Sequence, residues 1–219
     1  MGGPMNARRT AWAVAASLTL LSGCGGGGSG EPVSLDAAQT RAVLPDAASV
    51  PGWEATVEPV AYPLEKATRL GLARCFKDAE QDSCSRVRFI GGSGFHQQRK
   101  PVVSFIVQTY RDPATARAAY GTVWKMWKRW IPASKAMAVG ELGDQRNAVV
   151  GPGASAVKGS KGLMILVREG SVIMLSMADS GKYVDMPDSF LTRFADVFAQ
   201  RAEEAQAGKA PSAGIEASP

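Results

Sequence analysis

Apolar positions along this chain change period several times, and each change marks a predicted element. Ser34–Leu44 places Leu35, Ala38 and Ala42 on one face, a first helix with Ser34 as its cap, and Pro45 and Pro51-Gly52 end it. Trp53 to Tyr62 reads as extended, and Leu64–Leu72 as a short helix. In Arg86–Ile90, Val87 and Phe89 alternate with Arg86 and Arg88, the pattern of a half-exposed strand. Gly91-Gly92-Ser93-Gly94 reads as a turn, followed by the Val, Ile and Phe-rich strand Val102–Tyr110. Asp112-Pro113 is a helix start, an acid at the cap and proline at the first helical position.

That helix is expected to run to about Trp130 and stop before Pro132. At 100° per residue, Ala116, Ala119, Tyr120, Val123, Met126, Trp127 and Trp130 share one arc. Lys125, Lys128 and Arg129 fall opposite, with Trp124 on the boundary. Val139–Leu142 and Gln145–Val150 flank a turn at Gly143-Asp144, and Gly151–Gly162 reads as a mobile loop. Leu163–Val167 and Val172–Met177 form a hairpin about Arg168-Glu169-Gly170-Ser171. Both strands are apolar on both faces, which implies a sheet covered on two sides. A last helix from Pro187 to about Ala205 turns Phe190, Leu191, Phe194, Val197 and Phe198 inward. The fold expected is α+β: a layered α/β sandwich whose mainly antiparallel sheet is covered by helices on both faces.

The amino terminus follows another rule. Met1–Arg9 is polar and basic, and Ala11–Leu21 is an unbroken run of small and apolar residues. This is the layout of a secretory signal peptide. The run is too short for a membrane span, which takes roughly 20 residues. It ends in Leu21-Ser22-Gly23-Cys24, which resembles the bacterial lipoprotein lipobox. The resemblance implies diacylglycerol on the Cys24 thiol, cleavage after Gly23, and acyl chains such as palmitate in the membrane. Two chains on one residue anchor a protein stably where one does not. Residues 1–23 are thus the signal peptide, and 24–34 the lipidated cysteine plus a flexible glycine-rich tether spanning under about 20 Å. Residues 35–202 form a single domain, and 203–219 are an expected disordered tail of Ala, Gly, Pro and Ser.

Composition narrows the chemistry. The formal net charge is +5, and Arg8 and Arg9 of the signal peptide supply two of those charges. The remainder is too small and too scattered for a nucleic-acid partner. With Cys24 lipidated, Cys75 and Cys84 remain, and an exported pair this close reads as one disulfide. A thiol metal site is the competing reading; it lacks partners, since His96 is the sole histidine. No serine stands in a Gly-x-Ser-x-Gly elbow, and His96 sits in a polar loop-like stretch. Glu65, Asp78, Glu80 and Asp82 read as a solvated acidic cluster. No catalytic residue, cofactor or metal site is assigned.

A wider resemblance follows from the order of several short motifs. Leu44-Pro45, Pro51-Gly52-Trp53, a strand entering Asp112-Pro113-Ala114-Thr115-Ala116, then Leu142-Gly143-Asp144 before an apolar hairpin, look like exported actinobacterial lipoproteins. The same order is similar to the extracellular sensor domain of a mycobacterial serine/threonine kinase, of the Mog1/PsbP-like sandwich type. It covers about Leu35–Arg201. That sensor domain is pinned by two disulfides, whereas this chain can make one.

The expected function is a non-catalytic binding or sensor-like module, lipid-anchored on the extracytoplasmic face of the cell membrane. Its ligand is an unidentified small molecule or envelope protein. Trp124, Lys125 and Lys128 form the candidate ligand or partner surface, a basic-aromatic stripe able to meet anionic lipid; the Gly151–Gly162 loop is a second candidate. The alternatives are a structural or chaperone-like accessory of an envelope complex, and a hydrolase acting on envelope material.

Overall fold

The computed structural model describes residues 33–73, 82, 84–153, 158–182 and 184–216. Residues 1–32, with the expected signal peptide, Cys24 and most of the expected tether, lie outside the described residues. So do Cys75, Asp78 and Glu80. At the end of that tether the Val33 N–H donates to the Gln206 carbonyl at 3.2 Å.

Among the described residues, seven strands form one sheet in the order β1-β2-β3-β7-β6-β5-β4, every neighbouring pair antiparallel. They are β1 (Glu54–Pro63), β2 (Phe89–His96), β3 (Val102–Thr109), β4 (Lys135–Ala136), β5 (Gln145–Pro152), β6 (Lys161–Glu169) and β7 (Val172–Ser180). The helices are α1 (Ala37–Val43), α2 (Leu64–Arg69), α3 (Pro113–Lys128) and α4 (Thr192–Gln206), the last entered through a 3₁₀ turn at Asp188–Leu191. The sheet is two meanders, β1-β2-β3 and β4-β5-β6-β7, sealed where β3 pairs with β7. α3 makes the crossover between them.

Each face of the sheet has its own core. On one side α1 and α4 bury Phe105, Val107, Met174, Phe194 and Phe198. There Phe105 and Phe198 meet edge to face, with ring centroids 5.4 Å apart. On the other side α2 and α3 bury Tyr120, Met126, Trp127, Leu166 and Ile173. The expected α+β sandwich, covered on both faces, is therefore the fold. The doubly apolar pattern of β6 and β7 follows from this, since both strands run through the middle layer.

Local chemistry sets the helix ends. Asp112 caps α3 by accepting from the Thr115 N–H at 2.7 Å, with Pro113 at the first helical position. α1 starts later than the sequence pattern predicts. Asp36, not Ser34, is the cap: the Gln39 N–H donates to Asp36 Oδ1 at 2.8 Å, and Gln39 Oε1 accepts from the Asp36 N–H at 2.9 Å. Ser34 has alanine three residues on and cannot form that reciprocal box. Its hydroxyl instead accepts from Arg88.

Four other expectations are corrected. Gly91-Gly92-Ser93-Gly94 is not a turn but the middle of β2; the chain turns at Gln97–Lys100, where the Lys100 N–H donates to the Gln97 carbonyl at 3.0 Å. The glycines serve close strand approach, because a Cβ on Gly91 would stand 2.5 Å from the Val60 carbonyl oxygen. Val139–Leu142 is not a strand, since Gly140 and Gly143 on either side of Leu142 take positive φ and bend the chain. The Gly151–Gly162 loop is shorter than expected, because Gly151 pairs with Gly162 and Pro152 with Lys161 within the β5–β6 ladder. Residues 154–157 at its tip lie outside the described residues.

The fourth correction concerns the tail. Residues 203–206 complete α4, and 207–216 fold back on the body. Ser212 donates to Glu204 through both its N–H and its hydroxyl, the Ala213 carbonyl accepts from Arg201 at 3.0 Å, and the Ile215 N–H reaches the Ser49 carbonyl at 2.8 Å. Ile215 packs on the first core. Composition reads this segment as disordered because its few anchors, Ser212 and Ile215, find partners only once α4 is docked. Residues 217–219 lie outside the described residues.

Candidate functional site

On the second face the two helices do not cover the whole sheet. α2 packs on β1 and β2, while α3 packs on β6 and β7. Between them the surface over β2 and β3 is left open as a groove of about 300 Å³. Ile90, Gly92, Ile106 and Met177 form its floor. Val60 and Tyr62 of β1, with Leu72 just after α2, make one wall; Trp127 and Trp130 make the other. Gly92 lies opposite Val60 on one side and Ile106 on the other, so a missing side chain in the middle strand deepens the floor. A second cavity of about 210 Å³ continues past Trp130 and Met177 toward Val102, Ser104 and Asp179.

The tryptophan wall is packed against the sheet. Trp127 is buried, Trp130 is half-buried, and their rings stand 6.0 Å apart at 35°. Below them Tyr120 anchors α3 to the sheet: its hydroxyl donates to the Leu166 carbonyl at 3.0 Å and accepts from Asn147 Nδ2 at 3.1 Å. Burial pushes the Tyr120 hydroxyl up to about 12, so it stays protonated throughout the physiological range.

The rim is apolar as well. Leu72 is 53% exposed, Val57 50% and Val102 45%. Leu72 and Val57 belong to the groove itself, and Val102 to its continuation. Large side chains exposed around a concave apolar surface are characteristic of a binding site. At the Tyr62 end, the exposed Lys66 holds its ammonium 4.4 Å from the Tyr62 ring centroid.

The sequence-predicted surface residues fall beside this groove rather than in it. Trp124 is half-buried and packs on the second core; Lys125 and Lys128 are exposed on the outer side of α3. The lining tryptophans are Trp127 and Trp130, which helical periodicity correctly turns toward the sheet. No local signal marks the groove, since it arises from the spacing between two helices far apart in sequence.

The other candidate chemistry is dispersed. His96 ends β2 with its Nε2 3.3 Å from Glu54 Oε2, on the exposed surface. Glu65 pairs with Arg69 at 3.8 Å, both exposed. Cys84 is buried, while Cys75, its expected disulfide partner, lies outside the described residues. Among the described residues no group of three or more His, Cys, Asp or Glu could hold a metal ion, and no helix is long and apolar enough to cross a membrane. Two buried cations among the described residues are structural: Arg168 donates to Gln145 Oε1 and Asp144 Oδ2, both at 2.6 Å, and to the Gly170 carbonyl at 2.9 Å, and Arg201 donates to the Val43 and Ala42 carbonyls at 3.2 and 2.9 Å.

No protein-family model matches the chain, and no curated protein does. Among solved structures, the crystal structure of the extracellular domain of PknH from Mycobacterium tuberculosis is similar over 80% of this chain and 98% of its own. The identity is 12% and the TM-score 0.45. At that level the likeness transfers no site, and the groove is read from its own residues.

Proposed function

We propose that this chain is a lipid-anchored extracytoplasmic lipoprotein whose folded body is a non-catalytic module that holds an apolar ligand in the groove between α2 and α3. One observation carries the binding role: a concave surface of about 300 Å³ lined by Val60, Tyr62, Ile106, Trp127 and Trp130, with Leu72 exposed at its edge. A groove of that size lies at the lower end of small-molecule sites, roughly 300–1,000 Å³. Leaving such side chains open to water costs about 25 cal/mol per Å², which a ligand that covers them recovers. The lipobox residues Leu21–Cys24 support the anchor, and two acyl chains would keep the groove close to the membrane surface.

The test is retention. Full chain is purified from membranes, and its organic extract is compared by mass spectrometry with that of Ile106→Trp, whose larger side chain fills the floor. A compound held near one per chain by the wild type and lost from the variant supports the reading. Extracts that carry the same bulk membrane lipids in the same ratio from both chains overturn it.

The exposed rim of Leu72, Val57 and Val102 favours a second reading, an accessory surface for an envelope protein. Cross-linking at the rim that recovers one stoichiometric protein partner would put that reading first.

A further inference from the structure

The groove is electrically lopsided. Among the described residues, none that lines its larger cavity is charged. At one end stands the Lys66 ammonium, over the Tyr62 ring. At the other, past Trp130, the continuation reaches the carboxylate of Asp179. These ends are truly opposite: Tyr62 is level with Ile90 and Gln108, whereas Asp179 pairs with Val102 at the far end of β3.

The helix forming the tryptophan wall adds to the asymmetry. Between Pro113 and Lys128 it carries no acidic residue, while Arg117, Lys125 and Lys128 are exposed on it. Lys66 thus stands at one end of a floor that offers a ligand only apolar contact, while Arg117, Lys125 and Lys128 lie outside the lining and add only a diffuse positive potential from the exposed side of α3. A ligand matched to this surface has a hydrocarbon body and one negative end.

Resting on the binding role above, we infer that the occupant is a single-chain amphiphile with an anionic head group. The chain lies over Gly92 and Ile106 beneath Trp127 and Trp130. The head group sits beside Lys66, away from Asp179. Apolar burial supplies the affinity and the ammonium sets the orientation, since an exposed ion pair contributes little by itself. The Lys66 ammonium repels a cationic head group, and a neutral one gains nothing from it.

The experiment uses full chain in nanodiscs of zwitterionic phosphatidylcholine, labelled with a diazirine-bearing hexadecanoic acid or the matching alcohol. Photo-adducts are mapped by mass spectrometry. The inference expects the acid to label the peptides carrying Val57–Tyr62 and Trp127–Trp130, and to do so up to about fivefold better than the alcohol. Lys66→Glu should remove that preference while leaving labelling by the alcohol unchanged. Leu72→Asp, which puts a carboxylate at an exposed position of the groove wall, should weaken labelling by the acid more than by the alcohol. Equal labelling by acid and alcohol, insensitive to Lys66→Glu, overturns the anionic head group and leaves the apolar groove standing. Absence of groove adducts from either probe overturns both readings. Groove labelling that appears only when the nanodiscs contain anionic phosphatidylglycerol also overturns the inference, because it indicates docking on a charged bilayer rather than capture of one molecule.

Discussion

Gln206, the last residue of α4, accepts hydrogen bonds from the Ser171 N–H at 2.8 Å and the Ser171 hydroxyl at 3.0 Å. Its Nε2 donates to the Glu169 carbonyl at 3.0 Å and to the Ala202 carbonyl at 3.2 Å. One buried carboxamide thereby fastens the end of α4 to the β6–β7 turn. The turn residue Gly170 has φ +51°, and a Cβ there would overlap the Gln206 side chain.

Gln206→Leu should accordingly be destabilising. It keeps the bulk but leaves the Ser171 N–H and the Glu169 carbonyl without their partner, at a cost of about 1–3 kcal/mol. The thermal midpoint should fall by several degrees in a chain of this size. Gln200→Leu, on the exposed side of the same helix, should change it little. Equal effects at both positions would mean that the clamp carries no stability.

Glu169 supplies a pH dependence. Its carboxyl is held above the ordinary range, first by burial and then by the carboxylates of Asp144 and Glu203, with Arg168 opposing. An acid whose folded value is raised binds its proton more tightly in the native state, so its ionised form costs stability above the folded value. Below the unfolded value of 4.5 the penalty is absent. Glu169→Gln should therefore raise the thermal midpoint at pH 7, with the gain closing as pH falls toward 4.5. A gain that grows on acidification would contradict the assignment.

Two glycines should respond with opposite sign. Gly91→Ala would place a methyl 2.5 Å from the Val60 carbonyl oxygen and 3.0 Å from the Ala61 Cβ, forcing β1 and β2 apart. A loss of about 1–3 kcal/mol is expected. Gly121, inside α3, has nothing within 4 Å of the added methyl. Gly121→Ala should stabilise by about 0.5–1 kcal/mol through helix propensity. Chemical denaturation of the two variants reads both.

The cysteines give two further tests. Cys75→Ser should destabilise the protein under oxidising conditions by up to about 3 kcal/mol, the value expected for closing a short loop, and lower its thermal midpoint accordingly. An unchanged midpoint would argue against the Cys75–Cys84 bridge.

Cys24→Ala should abolish metabolic labelling with radiolabelled palmitate and leave precursor uncleaved after Gly23. Labelling that persists would remove the basis for the anchor.

Much of the fold is legible in the residues because local chemistry determines it. Asp112-Pro113 starts α3 where a cap and a proline must. The arc from Ala116 to Trp127 is buried as 3.6-residue spacing requires. The doubly apolar β6 and β7 run through the centre of a two-faced sheet, as strands without a polar side have to.

Other features depend on residues that meet only in three dimensions. Gly91–Gly94 looks like a turn until β1 lies against it, when the same glycines become the condition for close approach. Residues 207–216 lack apolar density, yet Glu204, Arg201 and Ser49 give them partners. The groove belongs to the same class. Helical period turns Trp127 and Trp130 inward, but only the separation between α2 on one meander and α3 on the other leaves a strip of sheet uncovered beneath them. Periodicity records which face of an element is apolar; packing between distant elements decides whether that face is closed by the protein or left for a ligand.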